Sequence, residues 1–294
     1  MKRILLFLAT NIAVLVTLGI IANLACAFLG TTMEGLVGPE YAHLAIYAIV
    51  YGFVGSLISL LLSKPIAKFS CRAQVIDGTE GEAERWLVQT VEQLARQANV
   101  RMPEVAIYPG AANAFATGAF RNHALVAVST DIMRQMTREE LRAVLGHEMS
   151  HVANGDMVTL TLVQGVLNAF VIFFSRVIAS VVASGGKGEN RRGNDGVYFL
   201  VTMVLQVVLG LLSSLIVFAY SRRREYAADA GSAKLLGSPF PMIAALRRLG
   251  NLQPGTLPDS LKAFGIAEGR RTSVWSTHPS LEDRIAALQK VTSF

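Results

Sequence analysis

Four long apolar stretches dominate the chain: roughly Ile4 to Phe28, Ala42 to Leu62, Val158 to Ala183 and Val197 to Tyr220. A membrane-spanning helix needs about 20 consecutive apolar residues, and each stretch supplies them. The rest of the composition agrees: 52% of the 294 residues are hydrophobic, only 16% are charged, and the mean hydropathy is +0.44. Soluble domains carry about 25% charged residues. The first stretch also has features of a signal peptide, with Lys2 and Arg3 ahead of it and "ACA" at Ala25 to Ala27. Its length and the closely following second stretch favour a retained span.

The net charge of +6 admits two explanations, a nucleic-acid ligand or basic loops on the cytoplasmic side of a bilayer. The placement of the charges favours the second. Lys2 and Arg3 precede the first span, Lys64, Lys68 and Arg72 follow the second, and Arg222, Arg223 and Arg224 follow the fourth, whereas the loop "GTTMEGLVGPEY" has no Lys or Arg. By the positive-inside rule both termini and the segment between spans two and three lie in the cytoplasm. The loop "GGKGENRRGNDG" opposes this with Lys187, Arg191 and Arg192. Arg176, inside the third span, either faces protein or water or snorkels to an interface. Asn11, Asn23 and Asn168 read as helix–helix hydrogen-bonding groups. The two cysteines, Cys26 and Cys71, lack metal or disulfide spacing.

This divides the chain into residues 1–63 and 158–220, each a pair of spans, and residues 64–157 and 221–294, the cytoplasmic parts. In the first cytoplasmic part Trp86, Leu87, Val91 and Leu94 recur at helical spacing. "EVAIYP" and "HALVAVS" are short β-like runs, and the intervening "GAANAFATGAFRN" is rich in small, turn-forming residues. Thr137 with Glu140 forms a capping-box signal ahead of an apolar stripe at Leu141, Val144 and Leu145. In the second part, helices are expected over "PFPMIAALRRLG", ending at Gly250, and over "HPSLEDRIAALQKV", with Pro279 just inside its start and Leu281, Ile285 and Leu288 as the apolar repeat.

The chemistry sits on the capped helix. "GHEMSH" places His147 and His151 four residues apart, on one helical face, where both imidazoles reach one ion. Zinc takes imidazole ligands in four-coordinate geometry. Glu148 stands beside the open coordination position as a general base toward a zinc-activated water. A catalytic site needs a third protein ligand, and no third histidine follows nearby. "REYAADAGS" offers Glu225 and, four residues on, Asp229. In one reading Glu225 binds zinc and Asp229 accepts a ring N–H from a liganding histidine. In the other, the pair is a solvated acidic face beside three arginines. Asp156 reads first as an N-cap of the third span, with support behind a metal ligand as the alternative.

Taken together, "HEMSH", "REYAADAGSA", "STHPSLEDRI" and "NAFATG", in this arrangement among four spans, resemble the HtpX family of bacterial membrane zinc proteases, relatives of the CaaX-prenyl proteases. The resemblance covers essentially the whole chain. It implies a mainly α membrane protein of four transmembrane helices plus a cytoplasmic, zincin-like α+β protease domain with a small β-sheet. It implies one Zn2+ per chain on His147, His151 and Glu225, with Glu148 as catalytic base. The implied activity is endopeptidase cleavage of membrane proteins, misfolded ones included, at the cytoplasmic face of the bacterial inner membrane, as in stress response and quality control. The expected partners are those substrates and the lipid bilayer, with no nucleic acid. The resemblance also points to His278 as an oxyanion-stabilising donor, against a plain helix-start histidine, and to Asn113 as a contact for substrate backbone, against a turn asparagine. Two rival functions are a prenyl-CaaX-type protease and a membrane zinc-binding or transport protein without peptidase activity.

Overall fold

The computed structural model describes residues 39–184, 191–252, 266 and 276–290. The first expected span, Ile4 to Phe28, and Cys26 lie outside them. In chain order the described elements are helix α1 (Pro39–Cys71), strand β1 (Gln74–Ile76), α2 (Glu82–Gln97), β2 (Glu104–Tyr108), β3 (Ala114–Thr117) and β4 (Leu125–Ser129). Then come α3 (Thr130–Gln135), α4 (Arg138–Asn154), α5 (Asp156–Ser184), α6 (Arg191–Leu236), α7 (Phe240–Asn251) and α8 (Leu281–Gln289). The fold is mostly helical with one small mixed sheet. Three of the described helices are long and apolar enough to cross a membrane, over His43–Cys71, Asp156–Ala183 and Asp195–Leu236.

The chain forms two compact units, residues 1–54 with 165–210, and residues 55–164 with 211–294. Within the first, small residues let α1 and α5 approach closely: a Cβ added at Gly52 would lie 2.5 Å from the Ala169 backbone nitrogen. Arg176 lies against Tyr47, its Nη2 donating to the phenol oxygen at 3.3 Å and its guanidinium stacked over the ring. Apolar side chains such as Ile49 on α1 and Phe199, Leu200 and Val207 on α6 point outward, as lipid-facing residues do.

The second unit is built around the sheet, in the order β1-β2-β4-β3. β1 runs antiparallel to β2, β2 parallel to β4, and β3 antiparallel to β4. Alternation along the strands divides the side chains between two faces. Val105, Ala114, Ala116, Val126 and Val128 pack with Leu87, Val91 and Leu94 of α2 and Leu141, Val144, Leu145 and Met149 of α4. Ala106, Phe115, Leu125 and Ala127 face Ala67 and Cys71 at the end of α1. β4 is buried on both faces, hence its apolar run "LVAV". Each fully buried Leu in this core contributes about 1.5–3 kcal/mol of burial free energy.

Two strands were not anticipated. β1 is only three residues long, and β3 falls in the small-residue stretch expected to be turn. Alanine carries little β propensity of its own; what makes Ala114–Thr117 a strand is complete burial against β4 and α4. Pro279 lies outside α8 rather than inside its start, because the Ser280 hydroxyl caps the helix by accepting from the Asp283 N–H. α7 continues one residue past Gly250.

Candidate metal centre

α4 begins as its sequence dictates: the Thr137 hydroxyl accepts from the Glu140 N–H while the Glu140 carboxylate accepts from the Thr137 N–H. Its last turn ends at Gly155, whose φ of 67° is left-handed backbone that glycine adopts at little cost. One turn apart on the inward face, His147 and His151 are buried with ring centroids 4.7 Å apart and their Nε2 atoms 3.1 Å apart.

Glu225 comes from α6, a 46-residue helix. The span-forming sequence therefore continues without a break into "REYAADAGSAKLL", and Glu225 and Asp229 occupy one face, one turn apart. Small residues bring α6 onto α4. A Cβ on Gly231 would stand 2.5 Å from Ser150 Oγ, and one on Gly146 would stand 2.8 Å from Ser232 Oγ. The Ser232 hydroxyl donates to the Ala143 carbonyl at 2.7 Å, fixing the register of the crossing. Glu225 then reaches both histidines, Oε1 at 3.2 Å from His151 Nε2 and Oε2 at 3.4 Å from His147 Nε2.

Each imidazole is held from behind. His147 Nδ1 donates to Asp229 Oδ1 at 2.9 Å, and His151 Nδ1 donates to Asp156 Oδ2 at 2.6 Å. Those bonds fix both Nδ1 protons and turn both Nε2 atoms toward each other and toward Glu225. Asp156, expected first as a cap of the third span and second as a group behind a metal ligand, is the first residue of α5 and the partner of His151. Gly155 turns the chain so that this carboxylate faces back along α4.

Further groups surround this set. Glu148 is buried; its carboxylate accepts from the Ala116 N–H of β3, and its Oε1 has no hydrogen-bond partner. Burial pushes its carboxyl up to about 7, against the opposing pull of His147 and His151. Burial disfavours a charged His151, yet the Glu225 and Asp156 carboxylates overcome it and raise the ring to about 10. His147 is raised for the same kind of reason, by Asp229 and Glu225 against burial. His278 is also buried and brings Nε2 to 3.6 Å from Glu225 Oε2. Asn113 stands at the head of β3, its Oδ1 accepting from the Ala114 N–H. Among the seven site residues expected from sequence, six lie around one point, and Asn113 marks the start of the adjacent edge strand.

Arg284 of α8 was not anticipated. Its guanidinium is buried, bonded to Asp229, and 3.6 Å from Glu225 Oε2. The signal was present: Arg284 falls on the apolar stripe of Leu281, Ile285 and Leu288, a core position where a cation needs a buried acid.

The residues fit a divalent cation. Two imidazole nitrogens and a carboxylate oxygen, all within 4.8 Å of one another, are a donor set that suits zinc. Glu225 Oε2 is buried with no hydrogen-bond donor. Four inward carboxylates, Glu148, Asp156, Glu225 and Asp229, face two guanidiniums, Arg284 and Arg224, the latter with Nε 3.3 Å from Asp156 Oδ1.

Comparison with known proteins agrees. Residues 82–292 match peptidase family M48. "Protease HtpX homolog" of Verminephrobacter eiseniae (strain EF01-2) is 54% identical over 98% of this chain and 98% of its own length. The protein of that name from Neisseria meningitidis serogroup B (strain ATCC BAA-335 / MC58) is 55% identical over 99% of this chain and all of its own. Among solved structures, Ste24p of S. mikatae shares the fold, with a TM-score of 0.57 and 20% identity over 83% of this chain; the chain spans 58% of the length of that protein. With the family match running from α2 through α8, and relatives aligned along nearly their whole length, the chain belongs to peptidase family M48, among the HtpX proteases.

Proposed function

We propose that this membrane metalloprotease is a zinc endopeptidase of the bacterial inner membrane, with four spans, both termini in the cytoplasm, and its site at the cytoplasmic face. Residues 1–63 and 158–220 would form the span pairs, and residues 64–157 and 221–294 the cytoplasmic parts. Support for the orientation comes from Lys64, Lys68 and Arg72 after one span and Arg222 to Arg224 after another. The substrates would be membrane proteins, misfolded ones included, in quality control under stress, with the lipid bilayer as the other partner and no nucleic acid.

One observation carries the reading: three ligand atoms from two helices converge beside the buried Glu148 carboxylate, which has a free acceptor oxygen. His147, His151 and Glu225 would hold one zinc ion per chain. Bound zinc would supply a Lewis acid for the scissile carbonyl and lower the pKa of water from 15.7 toward about 7. Glu148 would act as general base and then pass the proton to the leaving amine. His278 would donate to the oxyanion as the carbonyl becomes tetrahedral. Asp229 would keep the His147 ring oriented. Asn113 and the edge strand β3 would receive substrate backbone by strand addition.

The test is Glu148→Gln in the full-length protein. It should retain zinc and lose cleavage of a denatured membrane substrate. Persistent cleavage removes Glu148 from the role of base; absence of peptidase activity in a zinc-loaded wild type would favour a zinc-binding or transport protein instead.

A further inference from the structure

We infer that Arg284 is a positioning residue of the metal centre: its guanidinium clamps the Asp229 carboxylate so that the His147 ring presents its Nε2 lone pair to the ion. The inference rests on the reading of His147, His151 and Glu225 as metal ligands. Arg284 is 1% exposed, among the largest fully buried side chains of the described residues. A guanidinium so deeply buried is costly unless its donors are matched by a carboxylate in good geometry. Here they are: Nε donates to Asp229 Oδ2 at 2.8 Å and Nη2 to Asp229 Oδ1 at 2.7 Å, a two-bonded fork.

The fork has a directional consequence. An aspartate carboxylate rotates about a soft terminal torsion, so a single bond from His147 leaves its plane free. Arg284 holds both oxygens, and Oδ1 then points at His147 Nδ1, 2.9 Å away. A fixed acceptor there selects the tautomer with the proton on Nδ1 and leaves Nε2 bare. Nη2 also stands 3.4 Å from His147 Nδ1 and Nη1 3.6 Å from Glu225 Oε2, so one guanidinium borders two expected ligands as well as the carboxylate behind one of them. The His151 arm has the same order of groups, through Asp156 to Arg224, but with a single ion-pair contact at 3.3 Å in place of a fork.

A merely structural ion pair between α8 and α6 would affect stability and leave the metal affinity of the folded protein alone. The measurement that separates the two is zinc affinity of the full-length chain in detergent micelles, by competition with a chromophoric chelator, with near-UV circular dichroism to establish folding. Losing a group that orients a ligand from behind costs about 10–100-fold in metal affinity, and Arg284→Gln should fall in that range. Asp229→Asn should match it, and the double variant should be no weaker than the weaker single one, because both act through the same bond to His147. Wild-type affinity in Arg284→Gln, or losses that multiply in the double variant, overturns the inference. Should Arg284→Gln not fold, Arg284→Lys keeps the charge without the fork; it too should bind zinc more weakly, and wild-type affinity there is equally fatal. Failure of the ligand reading looks different: His147→Ala would retain zinc.

Discussion

The close crossing of α4 and α6 is open to a sharp test at Gly231. In Gly231→Ala the new Cβ would stand 2.5 Å from Ser150 Oγ and 2.8 Å from Ser150 Cβ. Carbon atoms in contact sit about 3.5–4.0 Å apart. A rotamer change moves the hydroxyl but not the Ser150 Cβ, so the helices have to separate by about 1 Å to restore that contact distance. Overpacking of this kind costs about 1–3 kcal/mol. Alanine gains about 0.5–1 kcal/mol over glycine in a helix interior. The two ranges leave a net loss of about 0–2.5 kcal/mol. The metal site should suffer more than the fold, because Glu225 rides on the displaced helix and metal–ligand distances tolerate only about 0.2 Å. Zinc affinity should drop on the order of tenfold or more, as for other perturbations that misplace a ligand. Chelator competition and thermal unfolding, run in the same detergent, read the two effects separately. Adding Ser150→Gly removes the opposing Cβ and should recover most of the zinc affinity. A Gly231→Ala protein with unchanged zinc affinity and unchanged melting temperature would falsify the claim that this contact sets the ligand spacing.

Asp156→Asn should weaken zinc binding by about 10–100-fold, since His151 loses its ionised acceptor; chelator competition checks it, and an unchanged affinity would return Asp156 to a purely helix-capping role. Thr137→Ala should cost about 1 kcal/mol of stability by removing the α4 cap, with zinc stoichiometry unaltered. Glu104 provides a pH test: burial raises its carboxyl, but Lys64 and Lys68, both ion-paired with it, outweigh burial and leave it below 4.5. A depressed carboxylate contributes stability above its unfolded value and loses it as pH falls through the folded value. Glu104→Gln should therefore be less stable than wild type at pH 7, by no more than about 1 kcal/mol for so exposed a pair. The gap between the two melting curves should begin to narrow as pH falls toward the unperturbed glutamate value of about 4.3 and close below the lower folded value; a gap that persists once the folded carboxylate has taken its proton points to packing rather than charge.

Three apolar helices long enough to span a membrane and the two-histidine face of α4 were legible because both depend on local pattern, an apolar run in one case and a four-residue spacing in the other. The capping box at Thr137 and Glu140 was legible for the same reason. Glu225 was half legible: its partner spacing to Asp229 is local, but its approach to His147 depends on Gly146, Ser150, Gly231 and Ser232, whose role appears only when two helices meet. Asp156 was half legible: an acid at a helix start satisfies a local capping rule, which favours that role over its bond to His151. β3 was missed because its alanines become a strand only through burial. Arg284 lies 137 residues from His147 in sequence, and its one local trace was a charge on an apolar stripe.

That 137-residue separation has a consequence for biosynthesis. A ribosome making this chain completes the histidine helix long before it reaches the segment that carries the last clamp. Until residue 284 has been translated, the fork that holds Asp229 toward His147 is missing, and Arg224 alone faces the acids gathered there. Stalled or prematurely released fragments carrying the histidine motif should therefore hold metal poorly and cut poorly.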